Sequence, residues 1–311
     1  MHDVITVGET MLAFTPVDGD LASASVFRAD SAGGESNVAA NLAALGHRAA
    51  WASRVGDDPQ SRRILTELAS RGVDLSLVVL DPAAPTGLML KDPAPGGSTV
   101  LYYRTGSAAA AMDKGFLDRA VLEYTRLVHT TGVTAALSAS CARMIDGLID
   151  DAHAAGTEFS FDVNYRPKLW GAGGAAERLL AIARRADLVF VGRDEAQALW
   201  GTGTADAVRE LLPEPSLLVV KDADVGATLF ERDLPAAFVP AHVVEVMEPV
   251  GAGDAFSAGF LSGYLRGTDR SEALDLGHLT AARVLATVGD LPELENLPEP
   301  GYLSNLKGTG R

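Results

Sequence analysis

The chain has one cysteine, Cys141, among its 311 residues. That excludes an internal disulfide and favours a reducing compartment. Cys141 itself reads as a small core residue, not a nucleophile. No apolar run approaches the roughly 20 residues that a membrane-spanning helix needs. The first residues enter a strand-like run without a basic stretch followed by an apolar one, so a cytoplasmic protein is expected. Positive charge is scarce: 26 lysines and arginines stand against 41 acidic residues, a net charge of −15. This disfavours nucleic acid or an anionic membrane as a main partner. G-x-x-x-x-G-K-[ST], H-E-x-x-H and C-x-x-C are also absent, which removes the P-loop, the zinc-protease helix and the paired thiol.

Hydrophobic residues make up 47% of the chain, enough for a sizeable core, and its length suits one large α/β domain or two smaller ones. Residues 4–8 read as a buried strand. Short apolar pairs over 10–32, broken by Pro16 and Gly19, suggest strands and loops outside the main sheet. An alanine-rich helix is expected over 35–46, closed by Gly46, with a strand over 47–55 after it. Asp57-Asp58-Pro59 opens a helix running to 72, with proline in its favoured first turn. Residues 77–80, 87–91 and 98–104 are strand-like and divided by turn residues. From 127 onward, strands ending near 131, 163, 191 and 220 alternate with helices around 139–155, 174–185 and 193–212. Antiparallel strands are expected within 226–246, and helices near 252–267 and 270–287. Such alternation implies an α/β fold: a doubly wound, mostly parallel sheet with helices on both faces. The reading is of a single domain over 1–311, with a small β lid built from about 10–32 and 84–104.

The strongest chemical signal is Gly251-Ala252-Gly253-Asp254, placed where a helix begins. Glycines let backbone N–H groups approach an anion, and a helix start adds unpaired N–H groups and a positive dipole end. A carboxylate in such a turn suits a base that takes a proton beside a group in transfer. The plainer role for Asp254 is to stabilise the helix start, and the two roles can coexist. The dinucleotide fingerprint is not met, because Phe256 stands where its third glycine belongs.

This turn, together with the early Gly33-Gly34 and Asn37, resembles the signature pair of the ribokinase-like, phosphofructokinase-B type carbohydrate kinases. The resemblance runs from residue 4 to about 290. Within that family, 100–108 (Val-Leu-Tyr-Tyr-Arg-Thr-Gly-Ser-Ala) and 161–170 (Phe-Asp-Val-Asn-Tyr-Arg-Pro-Lys-Leu-Trp) are similar to the 2-keto-3-deoxygluconate kinases. The resemblance implies an ATP-dependent kinase for a primary hydroxyl of a keto-deoxy sugar acid, with Asp254 as general base. Gly251, Ala252 and Gly253 would offer amides to the γ-phosphate. Gly33, Gly34, Asn37, Tyr102, Arg104 and Arg166 would bind the sugar, the two arginines taking the carboxylate as bidentate partners. Asn164, Lys221, Gly226 and His278 would line the ATP site, and Glu195 would order Mg²⁺; a monovalent cation such as K⁺ is a further possibility in this family. A homodimer or higher oligomer through the lid would cover its exposed strand edges.

Four positions depart from the family pattern. Met89 replaces a tyrosine, Glu248 replaces an aspartate, Gly192 replaces an asparagine, and the loop at 222–226 keeps only Gly226 of its glycines. They leave two alternatives open: a kinase for a neutral sugar such as fructose or ribose, and a sugar-binding regulatory protein without catalysis.

Overall fold

The computed structural model describes residues 1–92, 99–171, 173–247 and 250–287. Glu248, Pro249 and the stretch 93–98 of the expected lid lie outside them. In chain order the elements are β1 (His2–Val7), β2 (Met11–Pro16), β3 (Phe27–Ala32), α1 (Gly34–Ala44), β4 (Ala49–Gly56), α2 (Pro59–Ser70), β5 (Val78–Asp81), β6 (Leu88–Asp92) and β7 (Thr99–Tyr103). They continue with α3 (Arg119–Leu122), β8 (Thr125–Thr131), α4 (Gly132–Leu137), α5 (Ala139–Ala155), β9 (Glu158–Asp162), α6 (Ala175–Ala183), β10 (Leu188–Gly192), α7 (Arg193–Trp200) and α8 (Ala205–Leu211). The last are β11 (Leu217–Asp222), β12 (Gly226–Glu231), β13 (Ala237–Pro240), α9 (Ala252–Arg266) and α10 (Arg270–Leu285).

Nine strands form the main sheet in the order β13-β12-β11-β10-β9-β8-β1-β4-β5. Every pair from β11 to β5 is parallel, and β12 and β13 add an antiparallel edge. The central strands are covered on both faces and run mostly apolar, with Thr6, His129, Thr130 and Ser160 as buried polar exceptions. Alternate residues go to opposite layers. Ile5, Val7, Val128, Phe159, Phe161, Val189 and Val191 pack with α5 and α6. Val4, Leu127, Leu188, Phe190 and Val219 pack with α1, α2, α9 and α10. Four more strands make a second, smaller sheet in the order β3-β2-β6-β7.

From β1 the chain winds outward to β4 and β5, then returns to β8 and winds the other way through β9, β10 and β11. Neighbouring strands therefore lead away in opposite directions at β1 and β8, the kind of crevice where open α/β sheets bind ligands. Glu9, Thr131, Asp162, Gly192 and Lys221 all lie at this C-terminal end of the parallel strands.

One local expectation is revised, and the structure adds detail to others. The helix expected over 193–212 is two helices, because Gly201 takes φ +71 and ends α7. The short helix α4, capped by the Thr131 side chain on Val133, begins where β8 ends and lacks an apolar stripe long enough to show in the sequence. The strand near 77–80 is β5, a parallel edge of the main sheet. Only β12 and β13 form within 226–246. Gly259 and Gly263 let α9 and α10 pack closely: an added Cβ on Gly259 would strike the Leu276 carbonyl of α10, and one on Gly263 would lie 2.8 Å from Ala273 Cα. Among the described residues no helix is long and apolar enough to cross a membrane.

Candidate active site

Gly251 adopts φ +83 as the N-cap of α9, a left-handed conformation that glycine takes without strain. It aims the first turn of α9, with its unpaired amides, at the crevice. Asp254, in that turn, is held by two side-chain amides from opposite sides. Asn37 Nδ2 of α1 donates to Oδ2 at 3.0 Å, and Asn164 Nδ2, just past β9, donates to Oδ1 at 3.5 Å. Burial pushes the Asp254 carboxyl up to about 6; the Asn37 hydrogen bond opposes this, Asp162 adds to it, and Arg166 and Lys221 oppose it. A group with that affinity is ionised at neutral pH yet basic enough to accept a proton.

Asp162 closes β9 and carries its own network. Lys221 Nζ from the end of β11 pairs with Oδ2 at 2.7 Å, and Ser257 Oγ of α9 donates to the same atom at 3.1 Å. Asn164 N donates to Oδ1 at 3.2 Å, which helps hold Asn164 at φ +39, a conformation asparagine tolerates better than most residues. Burial would lower the Lys221 ammonium, but the charges of Asp162 and Glu195 outweigh it and hold the pKa above the usual value. That cation lies 3.8 Å from the Cβ that Gly253 lacks, against the glycine turn.

Glu195 opens α7 and accepts Gly192 N and Tyr165 N, each at 3.0 Å, one on each oxygen. Burial, then the Asp162 charge, raises its carboxyl above the ordinary range. Among the described residues no group of three or more His, Cys, Asp or Glu could hold a metal ion. Such a donor set fits Mg²⁺ carried chiefly by nucleotide phosphates and water, with one carboxylate behind it.

Three of the residues expected to bind the sugar, Tyr102, Arg166 and Asp254, share one chamber. A chamber of about 380 Å³ is lined by Asp254, Asn164, Arg166, Lys221, Tyr102 and Met89, among others. A Cβ on Gly34 would come 3.4 Å from Asp254 Oδ1 and 3.6 Å from Asn164 Nδ2, so a glycine here leaves room for a ligand atom beside the carboxylate. The two amides that hold Asp254 each leave a buried oxygen without a hydrogen-bond partner, Asn37 Oδ1 and Asn164 Oδ1. Native interiors seldom leave such atoms unmatched. Hydroxyl-rich ligands would match them.

The two arginines differ. Arg166 is exposed, lines the chamber, and has no ion-pair partner among the described residues. Arg104 is instead paired with the buried Glu9, whose other oxygen accepts Ser107 Oγ at 2.5 Å. Much of the charge expected of Arg104 toward a substrate acid is thus already balanced.

A second groove of about 620 Å³ is lined by Gly226, Ala223, His278, Phe256 and a row of alanines and valines from β12, α10 and the 241–246 segment. It shares Lys221 and Gly253 with the first chamber, so the two cavities meet beside Asp254. His278 Nε2 is engaged with Val239 O at 3.0 Å, and its ring meets Phe256 edge-on, so it builds the groove wall. Ala223 stands in the left-handed region at φ +42. Ala223→Gly is expected to stabilise the protein by about 0.5–1 kcal/mol, the relief of a left-handed side chain less the added backbone freedom. An unchanged urea midpoint would show the loop to be unstrained.

Four site residues were missed in the sequence: Asp162, Ser257, Glu9 and Lys91. Lys91 is only 4% exposed and lines the Asp254 chamber beside Met89. Its signal was a charged residue in the inward phase of an alternating strand, two positions after Met89.

A carboxylate pinned between amides, a glycine turn at a helix start and a lysine shared by two cavities suit transfer of a phosphoryl group to an alcohol. The chain belongs to the pfkB family of carbohydrate kinases, whose description it matches over residues 1–296. It is 35% identical to the 2-dehydro-3-deoxygluconokinase of Bacillus subtilis (strain 168), over 94% of this chain and 92% of that protein. The crystal structure of a PfkB protein from Polaromonas sp. JS666 superposes with a TM-score of 0.87 at 35% identity, covering 98% of this chain and 99% of that one. A putative ribokinase II from E. coli, solved with ATP and Mg²⁺, shares the fold with a TM-score of 0.88 at 19% identity over all of both chains.

Proposed function

We propose that this protein is an ATP-dependent 2-dehydro-3-deoxygluconate kinase of the cytoplasm. The observation that carries the reading is Arg166, a cation without an ion-pair partner among the described residues, in the same chamber as a half-buried carboxylate of raised proton affinity. The sugar's hydroxyls lie on Gly33, Gly34 and the free oxygens of Asn37 and Asn164, and its carboxylate faces Arg166. Arg104 contributes through its unmatched Nε while Glu9 holds its outer edge, and Tyr102 forms the wall above. The primary hydroxyl then sits in the space over Gly34, within reach of Asp254.

Asp254 takes the hydroxyl proton as the oxygen attacks the γ-phosphate in line, and the bond from the γ-phosphorus to the β–γ bridging oxygen breaks to release ADP. Amides of Gly251, Ala252 and Gly253 and the ammonium of Lys221 meet the charge on the transferring group. Gly226 and His278 border the nucleotide groove. Mg²⁺, ordered by Glu195, supplies neutralisation of phosphate charge when bound. The small sheet serves as a lid; closing it excludes water and limits futile hydrolysis of ATP. Its exposed Tyr103 (61%) and Leu101 give a second copy an apolar face to cover.

The reading is tested with a coupled assay of 2-dehydro-3-deoxygluconate, its galactonate epimer, fructose and ribose. Sugar acids are expected to exceed neutral sugars in kcat/KM by on the order of 100-fold. Equal or higher efficiency with fructose would establish the neutral-sugar alternative, which the Arg104–Glu9 pair and Met89 favour.

A further inference from the structure

Glu35 is a buried carboxyl that takes no part in the mechanism above. It is 1% exposed and stands in the first turn of α1, directly after Gly34 and two residues before Asn37. Its side chain reaches the junction of β8 and α4. There one oxygen, Oε1, accepts Thr131 N at 3.0 Å, Thr131 Oγ1 at 2.8 Å and Thr134 Oγ1 at 2.6 Å. Gly8, just past β1, makes the room: a Cβ there would strike the Glu35 carboxyl. One side chain thus joins the ends of β1 and β8 to the start of α1, where the winding of the sheet reverses.

A carboxyl is an unfavourable choice for a joint that only holds elements together. Burial raises its proton affinity; the Thr134 and Thr131 hydroxyls pull the other way, and the Asp254 charge adds to the rise, so the two carboxyls sense each other. An apolar side chain of similar volume would bind α1 to β8 at less cost. It would not fix direction, whereas donors converging on one oxygen set both distance and angle. The residues so fixed face the base. Asn37 donates to Asp254 Oδ2 at 3.0 Å. The Cβ that Gly34 omits would lie 3.4 Å from Asp254 Oδ1 and 3.7 Å from Thr131 Cγ2. Thr131, held by Glu35, therefore borders the small space in which the reacting hydroxyl sits.

We propose that Glu35 is a positioning residue of phosphoryl transfer: through Thr131 and Thr134, its carboxyl sets Gly34 and Asn37 at the distance from Asp254 at which the acceptor hydroxyl can react. This role rests on Asp254 as the base. A displacement of about 1 Å in such a setting lowers turnover on the order of 100-fold.

The test is steady-state kinetics with ATP and the sugar, beside urea unfolding. Glu35→Gln keeps the accepting oxygen, and its kcat is expected to stay within about threefold of wild type. Glu35→Leu fills a similar volume without an acceptor, and is expected to lose about 30–100-fold in kcat while KM for ATP stays within about twofold. A purely structural joint would lower the urea midpoint and leave kcat of the folded protein unchanged. The proposal is overturned if folded Glu35→Leu keeps kcat within about tenfold of wild type, if its loss falls on KM for ATP, or if Glu35→Gln fails to restore kcat. Should Glu35→Leu not fold, Thr134→Val decides. It removes one donor at unchanged shape and is expected to lower kcat about fivefold; a kcat within about twofold of wild type overturns the proposal. Failure of the base assignment would show separately, as near-wild-type turnover in Asp254→Asn.

Discussion

Asp254→Asn is expected to lower kcat by about 10²–10⁴-fold, with KM for the sugar within about threefold of wild type. Asparagine fills the same space and can still accept a bond from Asn37, but it has no lone pair basic enough for the hydroxyl proton. Near-wild-type turnover in this variant would remove Asp254 from the base role. The wild-type pH profile should carry the same signature: kcat/KM falls tenfold per unit below about pH 6, where the raised carboxyl becomes protonated. Stability should move the opposite way. Folding raises this group's pKa from 3.8 to about 6, so its ionised form costs the folded state free energy. That cost is absent below pH 3.8 and complete above about 6. At pH 8, Asp254→Asn is therefore expected to gain about 1–2 kcal/mol in urea unfolding, the shift being discounted for partial exposure.

The second large effect falls on Arg166. Arg166→Gln is expected to raise KM for a sugar acid by about 10–100-fold, the worth of a charge-assisted hydrogen bond, while changing kcat little. A neutral sugar measured on the same variant should lose less than about threefold, which separates loss of carboxylate binding from a general disturbance. An equal loss with both substrates would take the carboxylate away from Arg166. Arg104 cannot be read the same way. Its removal would strand the buried Glu9 carboxylate at a stability cost of about 3–5 kcal/mol, so activity and folding would fail together.

The order of strands and helices was legible because the hydrophobic pattern is simple: mostly apolar strands alternate with helices marked by cap and turn residues. The resemblance to sugar kinases brought Asn37, Asn164, Lys221 and Asp254 into view, and the fold places them around one crevice. What the sequence hid is chiefly pairing. Glu9 and Arg104 lie 95 positions apart, and no local pattern announces that one will balance the other. Asp162 was in view inside a recognised segment, but its function depends on Lys221 and Ser257, contributed by two other elements. Gly201 was visible as a residue, but not its left-handed turn, so α7 and α8 read as one helix. The small sheet was expected from 10–32 and 84–104, and its described strands fall within those limits.

The neck between the two cavities bears on inhibitor design. Lys221 and Gly253 belong to both, and the lysine nitrogen stands 3.8 Å from the position of a Cβ that glycine omits. A molecule joining a sugar mimic to a purine mimic must therefore thread a passage flanked by a cation and a bare backbone. A slender anionic tether suits it, a neutral alkyl chain forfeits the ammonium, and a branched one collides with the turn.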